Sequence, residues 1–277
     1  MNKDIDISIV IPTYNAEKSI YLLLKSLFKE LNLLKLSFEI IIVDDNSTDH
    51  TINEIKKFKN NSETGNITVI KSSSNYGQIT STLLGVSNTI GKKILTIDDD
   101  LQHDPIEIKK LYKHMIKNDL DSVVACWDAD ETLFRNFSST LFNFFSNLVQ
   151  LKSPKYKNTA FRLMDSRLKQ NFLDSFLNKN WIDIRSISNA NDQVYVVHNS
   201  PFQRPYTGFI KRLKIALKFF LLDTYFFEIL IFSLILLNYK LVVILLVLLQ
   251  LLKRINKKRT LVLRKNLLYS SKNYILD

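Results

Sequence analysis

The first 126 residues alternate short apolar runs with segments whose apolar positions recur every three or four residues. Residues 8–11 form a short run rich in β-branched positions (Ile9, Val10 and Ile11) closed by Pro12-Thr13-Tyr14-Asn15, which predicts a strand and then a loop. Residues 17–34 place Ile20, Leu23, Leu24, Leu27, Phe28 and Leu31 on one helical face. A second buried strand is expected at 39–43, closed by Asp44-Asp45-Asn46-Ser47-Thr48-Asp49, and a helix at 50–59. Further strands are expected at 67–71, at 93–97 (closed by Asp98-Asp99-Asp100) and at 122–125, with helices at 78–89 and 105–117. Pro105 suits the first turn of the last of these helices. Nearly continuous apolar strands alternating with helices predict an α/β fold with a mostly parallel sheet covered on both faces. Ligands of such sheets bind beyond the carboxyl ends of the strands. The polar clusters at 12–15, 44–49 and 98–104 all fall there.

The pattern changes after residue 200. Residues 211–223 interleave Lys211, Arg212, Lys214 and Lys218 with apolar positions, which suits an interfacial amphipathic helix. Two apolar runs follow within 224–252, separated by Asn238-Tyr239-Lys240. Each is short against the ~20 residues of a spanning helix. One continuous helix would leave Lys240 near mid-bilayer, at a cost of about 2.5–3.5 kcal/mol. A hairpin instead puts Lys240 at the far surface and keeps both basic flanks on one side. The expected organisation is an α/β domain at 1–210, the interfacial helix, a transmembrane hairpin at 224–252 and a basic cytoplasmic tail at 253–277. The opening residues do not read as a secretory leader, so a cytoplasmic domain at the inner or plasma membrane is expected.

Charge sharpens this division. Residues 1–200 carry 24 Lys and Arg against 24 Asp and Glu, whereas 201–277 carry 14 against 3, which is the whole net charge of +11. Basic residues flanking apolar runs point to a membrane surface rather than a nucleic acid. The five glycines, at 65, 77, 85, 91 and 208, exclude the glycine-rich dinucleotide and phosphate loops by spacing. A single cysteine, Cys126, excludes an internal disulfide and a cysteine-cluster zinc site. The four histidines form no metal-spaced pair.

Candidate chemistry is concentrated in the acidic strand ends. Three carboxylates in a row repel one another unless a cation sits among them. Alternation in extended chain turns Asp98 and Asp100 one way and Asp99 the other. Such hard oxygens suit Mg²⁺ or Mn²⁺ bridged to substrate phosphates, and Gln102 continues the same period. Asp104 reads as the cap of the helix that follows. Asp44 and Asp45 could accept hydrogen bonds from a nucleoside or serve the turn that Asn46, Ser47, Thr48 and Asp49 build. Phe134, Phe137, Leu141, Phe142, Phe144 and Phe145 surround Arg135 and suit either a core helix or a membrane-dipping one that guides an apolar chain.

Ile9-Val10-Ile11-Pro12-Thr13-Tyr14-Asn15, Ile42-Val43-Asp44-Asp45-Asn46-Ser47-Thr48-Asp49, Asn75-Tyr76-Gly77 and Asp98-x-Asp100-Leu101-Gln102-His103 resemble glycosyltransferase family 2 and its GT-A fold. The Leu-Gln-His extension and Phe161-Arg162-Leu163-Met164-Asp165 resemble the branch that transfers sugars to polyprenyl phosphates. The resemblance spans about residues 5–215. It implies a metal-dependent inverting hexosyltransferase that takes a nucleotide diphosphate sugar as donor and a polyprenyl phosphate as acceptor. Pro12, Tyr14, Asp44 and Asp45 would bind the donor, with Asp98, Asp100 and Gln102 holding Mg²⁺ or Mn²⁺ on its diphosphate. Arg135 and Ser139 would grip the lipid phosphate, and Arg162 and Arg204 would approach the phosphates. The chain departs from the pattern at Asn15-Ala16-Glu17, where the acid is displaced by one, and at Ala125-Cys126-Trp127, where an arginine is missing.

Two other expectations stay beside this one. A transferase of the same fold acting on a glycan hydroxyl would need a base, with Asp99 and Asp128 as candidates. A catalytically silent membrane scaffold would keep the fold without the chemistry. The sequence leaves the oligomeric state open.

Overall fold

The computed structural model describes residues 4–61, 67–126, 159–178 and 187–196, with Arg254 and residues 275–276. In chain order its elements are β1 (Ile7–Thr13), α1 (Ile20–Leu33), β2 (Phe38–Asp44), α2 (Thr51–Asn61), β3 (Ile67–Lys71), α3 (Gln78–Ser87), β4 (Lys93–Thr96), α4 (Ile108–Lys117), β5 (Ser122–Cys126), β6 (Arg162–Asp165), α5 (Lys169–Asn178), β7 (Asn191–Tyr195) and β8 (Ile275–Leu276). The chain divides into two units. Residues 131–155 and 205–265 form one, and every element above belongs to the other.

The strands make one sheet in the order β7-β5-β6-β4-β1-β2-β3-β8. The pairs of β1 with β2 and β4, of β2 with β3 and of β5 with β7 are parallel. β6 enters between β4 and β5 antiparallel to both, and β8 closes on β3 antiparallel. The sheet is therefore mostly parallel, as the alternating pattern requires.

Alternation along β1 sorts its side chains between two cores. Ile7, Ile9 and Ile11 join Ile20, Leu23, Leu24, Leu27 and Leu31 of α1 and Ile108, Leu111 and Met115 of α4. Val10 faces the other side, with Leu83 and Val86 of α3 and Phe172 of α5. With both faces covered, no strand position of β1 is exposed, which is why its sequence reads as an unbroken apolar run. Gly85 lets α3 approach the sheet: a Cβ there would lie 2.3 Å from Val10 Cγ1.

The observed elements fall within a few residues of their expected places. The segment expected to be one helix at 105–117 starts as a 3₁₀ turn, Pro105–Glu107, before α4. Asp104 caps that turn by accepting a hydrogen bond from the Ile106 N–H at 3.0 Å, the role its position predicts. With glycine scarce, α1 and α4 end on other residues in the left-handed region. These are Lys35 (φ 56°) and Asp119 (φ 49°), each followed by an N–H that reaches back to close the last turn.

Among the described residues no helix is long and apolar enough to cross a membrane. The interfacial helix at 211–223, the hairpin at 224–252 and nearly all of the basic tail lie outside the described residues.

Candidate active site

The three polar clusters meet at one sheet edge because β4, β1 and β2 are adjacent and parallel. Thr13 pairs with Asp44, and Val10 pairs with Thr96. Pro12 is tolerated in this central strand because its missing N–H faces β4, which leaves the sheet just there. The last bond on that side is from the Ile97 N–H to the Val10 carbonyl, 3.1 Å. Each of the three loops contains one non-glycine residue in the left-handed region: Asn15 (φ 51°), Asn46 (φ 62°) and Leu101 (φ 59°). Asparagine adopts this conformation readily, whereas for leucine it costs roughly 1–2 kcal/mol. The acidic loop thus carries strain that the surrounding structure holds.

The loops after β1 and β2 are tied together by hydrogen bonds. The Thr48 N–H donates to Asn15 Oδ1 at 2.9 Å, and the Asn15 N–H to Ser47 Oγ at 2.9 Å. The Ala16 N–H donates to Thr51 Oγ1 at 2.7 Å, and the His50 N–H to Glu17 Oε2 at 3.1 Å. Glu17, the displaced acid, therefore braces the start of α2. Asp45 accepts from the Tyr76 N–H at 2.8 Å and the Gly77 N–H at 2.7 Å. Both its oxygens hold the turn before α3, where Gly77 (φ +90°) takes a conformation that L side chains rarely adopt.

Asp44 is fully buried. Its Oδ2 accepts from the Ser47 N–H at 3.2 Å, while its buried Oδ1 has no hydrogen-bond partner. Burial raises its carboxyl above the ordinary range against the opposing pull of Ser47 and Lys71. Tyr14, by contrast, is exposed at the lip of the site, and Pro12 is buried beneath it.

The acidic loop keeps the alternation of β4. Leu95 and Ile97 lie in the core beneath α1, and Asp99 follows them to that face. There Asp99 is 4% exposed and its Oδ2 accepts from Thr13 Oγ1 at 2.7 Å and from the Tyr14 N–H at 3.1 Å. Asp98 and Asp100 are half-buried. Asp98 accepts from the Gln78 side chain at the start of α3, and Asp100 Oδ1 accepts from the Gln102 N–H at 3.1 Å. Two half-buried carboxylates, with Gln102 held next to Asp100 through its backbone N–H, are hard-oxygen donors of the kind that suits Mg²⁺ or Mn²⁺. Among the described residues no group of three or more His, Cys, Asp or Glu side chains is disposed to hold a metal.

Asp99 does not suit the role of general base considered from the sequence. It is buried and already accepts two hydrogen bonds that fix the loop after β1. Asp128, Arg135, Ser139 and Arg204 lie outside the described residues. Arg162 is brought to the site edge by a feature the sequence pattern did not reveal: β6 runs antiparallel, so its first residue pairs with Thr96, the last of β4. The Arg162 Nε–H donates to the Thr159 carbonyl at 2.5 Å. Phe161 beside it packs on His103 of the acidic loop, with ring centroids 5.0 Å apart. The contacts of Thr13, Asn15 and Gln78 were also missed. Their only sequence signal is that polar side chains flank strand ends shared by one edge.

A family model described as glycosyl transferase family 2 matches residues 8–175. The undecaprenyl-phosphate 4-deoxy-4-formamido-L-arabinose transferase of Yersinia pestis (strain Pestoides F) is 34% identical over 138 residues, 50% of this chain and 42% of that protein. The transferase of the same name from Proteus mirabilis (strain HI4320) is 35% identical over 105 residues, 38% of this chain and 32% of that protein. The match thus spans less than half the length of these relatives. Among solved structures, M. tuberculosis glucosyl-3-phosphoglycerate synthase aligns with a TM-score of 0.54 at 17% identity, covering 78% of this chain and 80% of that one. Mannosyl-3-phosphoglycerate synthase from Rubrobacter xylanophilus aligns at 0.52 and 16%, covering 77% and 71%. At such identities the likeness is one of fold, and it agrees with the α/β, mostly parallel architecture expected.

Proposed function

Because the chain belongs to glycosyl transferase family 2, we propose that it moves a sugar, with inversion, from a nucleotide diphosphate sugar to a polyprenyl phosphate at the cytoplasmic face of a membrane. One observation carries this reading. Three loops at the carboxyl edge of β4, β1 and β2 are hydrogen-bonded into a single frame, with Asp98 and Asp100 on its accessible side.

In this reading Tyr14 and Pro12 line the nucleoside position. Asp44, with one buried oxygen unsatisfied, is the candidate acceptor for a donor group of the base or ribose. Asp45 acts at one remove by fixing the turn at Tyr76 and Gly77. Asp98, Asp100 and Gln102 would hold Mg²⁺ or Mn²⁺, which when bound neutralises the charge of the departing nucleotide diphosphate. An M. tuberculosis synthase of similar fold was solved with Mn²⁺ and uridine-diphosphate.

The acceptor assignment has separate support. A lipid phosphate is an anion at neutral pH and requires positioning rather than deprotonation. Arginine supplies that by bidentate hydrogen bonding. Arg162 stands at the right edge, and Arg135, Ser139 and Arg204 are the further candidates from the family pattern. The two hydrogen bonds that Asp99 accepts from the loop after β1 speak against its serving as base for a hydroxyl acceptor, which supports the lipid-phosphate reading. The names of the Yersinia and Proteus relatives specify undecaprenyl phosphate, the same acceptor class.

The test is to incubate the full chain in detergent with Mn²⁺, undecaprenyl phosphate and a panel of labelled nucleotide sugars. The expected product is a mild-acid-labile lipid-linked sugar. Asp98→Asn and Asp100→Asn should each lower turnover on the order of 10²–10³-fold, the range typical of losing a group that stabilises transition-state charge, with the melting temperature held. Full turnover in either variant overturns the metal assignment. An acid-stable glycan product overturns the lipid-phosphate acceptor.

A further inference from the structure

The search outside the donor position finds one buried polar contact that spans two parts of the site. Thr13 is 2% exposed and Asp99 4% exposed, and they meet although 86 residues apart in sequence. They meet because odd-numbered positions of β1 and of the β4 extension face the same core. Thr13 continues the row of Ile7, Ile9 and Ile11, and Asp99 continues Leu95 and Ile97. The same carboxylate oxygen also accepts from the Tyr14 N–H. One carboxylate therefore holds both the residue before Tyr14 and Tyr14 itself, while its two chain neighbours are the acids of the accessible face. Gln78 steadies Asp98 from the opposite side, at the start of α3. The loop so gripped is the one that contains Leu101 in the left-handed region.

We propose that Asp99 is a positioning residue that couples the nucleoside loop carrying Tyr14 to the acidic loop carrying Asp98 and Asp100, so that the two halves of the donor position move as one body. This rests on the donor-binding reading above. A carboxylate that accepts two hydrogen bonds from one loop transmits a shift of that loop directly to its own backbone. Loss of the Thr13 hydroxyl removes one of the donors that tie this buried side chain to the loop after β1, and so loosens the link between that loop and the acidic loop. Without the contact, the nucleoside and metal positions should each still exist but no longer be held in register.

The experiment is calorimetric titration of the full chain with uridine diphosphate and with guanosine diphosphate, each with and without Mn²⁺, for the native chain, Thr13→Val, Thr13→Ser, Asp99→Asn and Asp98→Asn. Thr13→Val should weaken binding of the preferred nucleotide about tenfold even without Mn²⁺, and should also reduce the gain that Mn²⁺ confers. Thr13→Ser, which keeps the hydroxyl, should restore both. Asp98→Asn should lose the Mn²⁺ gain while keeping the metal-free affinity, a pattern the positioning variants must not share. In turnover, Thr13→Val should raise KM for the donor and lower kcat, the kcat loss smaller than that of Asp98→Asn because the charge-stabilising groups are displaced rather than removed, and Thr13→Ser should restore both. Asp99→Asn extends the series where it folds, as judged by melting without nucleotide, and Thr13→Val carries the test where it does not. If Thr13→Val binds nucleotide and responds to Mn²⁺ as the native chain does, the coupling is wrong. If the native chain binds neither nucleotide, the donor-binding reading itself fails, and the two failures are distinct.

Discussion

Two carboxylates at opposite edges of the sheet are pushed in opposite directions. Asp44 at the carboxyl edge is raised by burial. At the other edge, burial alone would raise Asp165 too, but hydrogen bonds from Arg167 and Lys93 outweigh it and hold the carboxyl at about 2. Lys93 and Asp165 pair across β4 and β6 at 3.1 Å with side chains 18% and 14% exposed. A carboxyl whose folded value lies below its unfolded value adds stability above the unfolded value, and loses it as pH falls through the folded one. The fall from 3.8 to about 2 is worth roughly 2 kcal/mol, present above about pH 4 and lost between about pH 4 and pH 2. Asp165→Asn should therefore lower the melting temperature at pH 7 and flatten the acid dependence between those limits, which melts at a series of pH values will show. Asp44 predicts the reverse. A buried carboxylate with an unsatisfied oxygen costs stability, so Asp44→Asn should raise the nucleotide-free melting temperature by about 2–4 °C for a gain of about 1 kcal/mol. The same change should weaken nucleotide binding. Melting and nucleotide titration of one preparation check both halves. A destabilised Asp44→Asn would mean that the orphaned oxygen is better satisfied than its contacts indicate.

At the scale of elements, the scarcity of glycine has left a mark on the helix ends and on one close approach. Lys35 and Asp119 occupy the left-handed position that glycine usually fills at a helix C-terminus. Lys35 is exposed, so little else depends on its side chain. Lys35→Gly should stabilise the chain by about 0.5–1 kcal/mol, the strain relieved less the extra freedom of the unfolded glycine. Gly91 is the opposite case. A Cβ there would lie 2.7 Å from the Ser8 backbone nitrogen and 2.9 Å from the Ile7 carbonyl carbon. Backbone cannot yield as a side chain can, so Gly91→Ala should destabilise by about 1–3 kcal/mol or more. Denaturant melts of both variants decide the signs. These elements also show what a sequence can and cannot carry. β1 to β5 and α1 to α4 were legible because each strand is buried on both faces and each helix shows one apolar face. β6 was not, because Arg162-Leu163-Met164-Asp165 has polar ends and only two apolar positions, and its antiparallel entry depends on β4 and β5 being already in place. β7 was missed for the same reason, since Asn191-Asp192-Gln193 looks like loop. At the site edge, the alternation expected after β4 was legible in the burial of Asp99 between the half-buried Asp98 and Asp100. The Thr13–Asp99 contact was not, because it requires β1 and β4 to be neighbours in a fixed register.

At the scale of the whole molecule, the charge division sets the expected behaviour toward membranes. The 24 basic and 24 acidic residues of 1–200 cancel, whereas 201–277 hold 14 basic residues against 3 acidic ones beside two apolar runs. Adsorption by charge and insertion by apolar burial respond differently to salt. At about 1 M salt the screening length falls to roughly 3 Å, so a chain held by charge alone leaves an anionic vesicle. A chain whose 224–252 segment has entered the bilayer stays. The full chain should therefore remain with anionic vesicles in a flotation gradient at high salt, and should bind neutral vesicles as well. Release by salt would leave the interfacial helix at 211–223 as the sole anchor. The proposed hairpin would make a further demand, because both basic flanks would have to stay on the face that carries the proposed donor site. A reporter fused after Asp277 should be active on the cytoplasmic side. Activity on the other side would require one continuous span with Lys240 near mid-bilayer, and the cost of about 2.5–3.5 kcal/mol would then have to be met by a partner for that lysine within the bilayer.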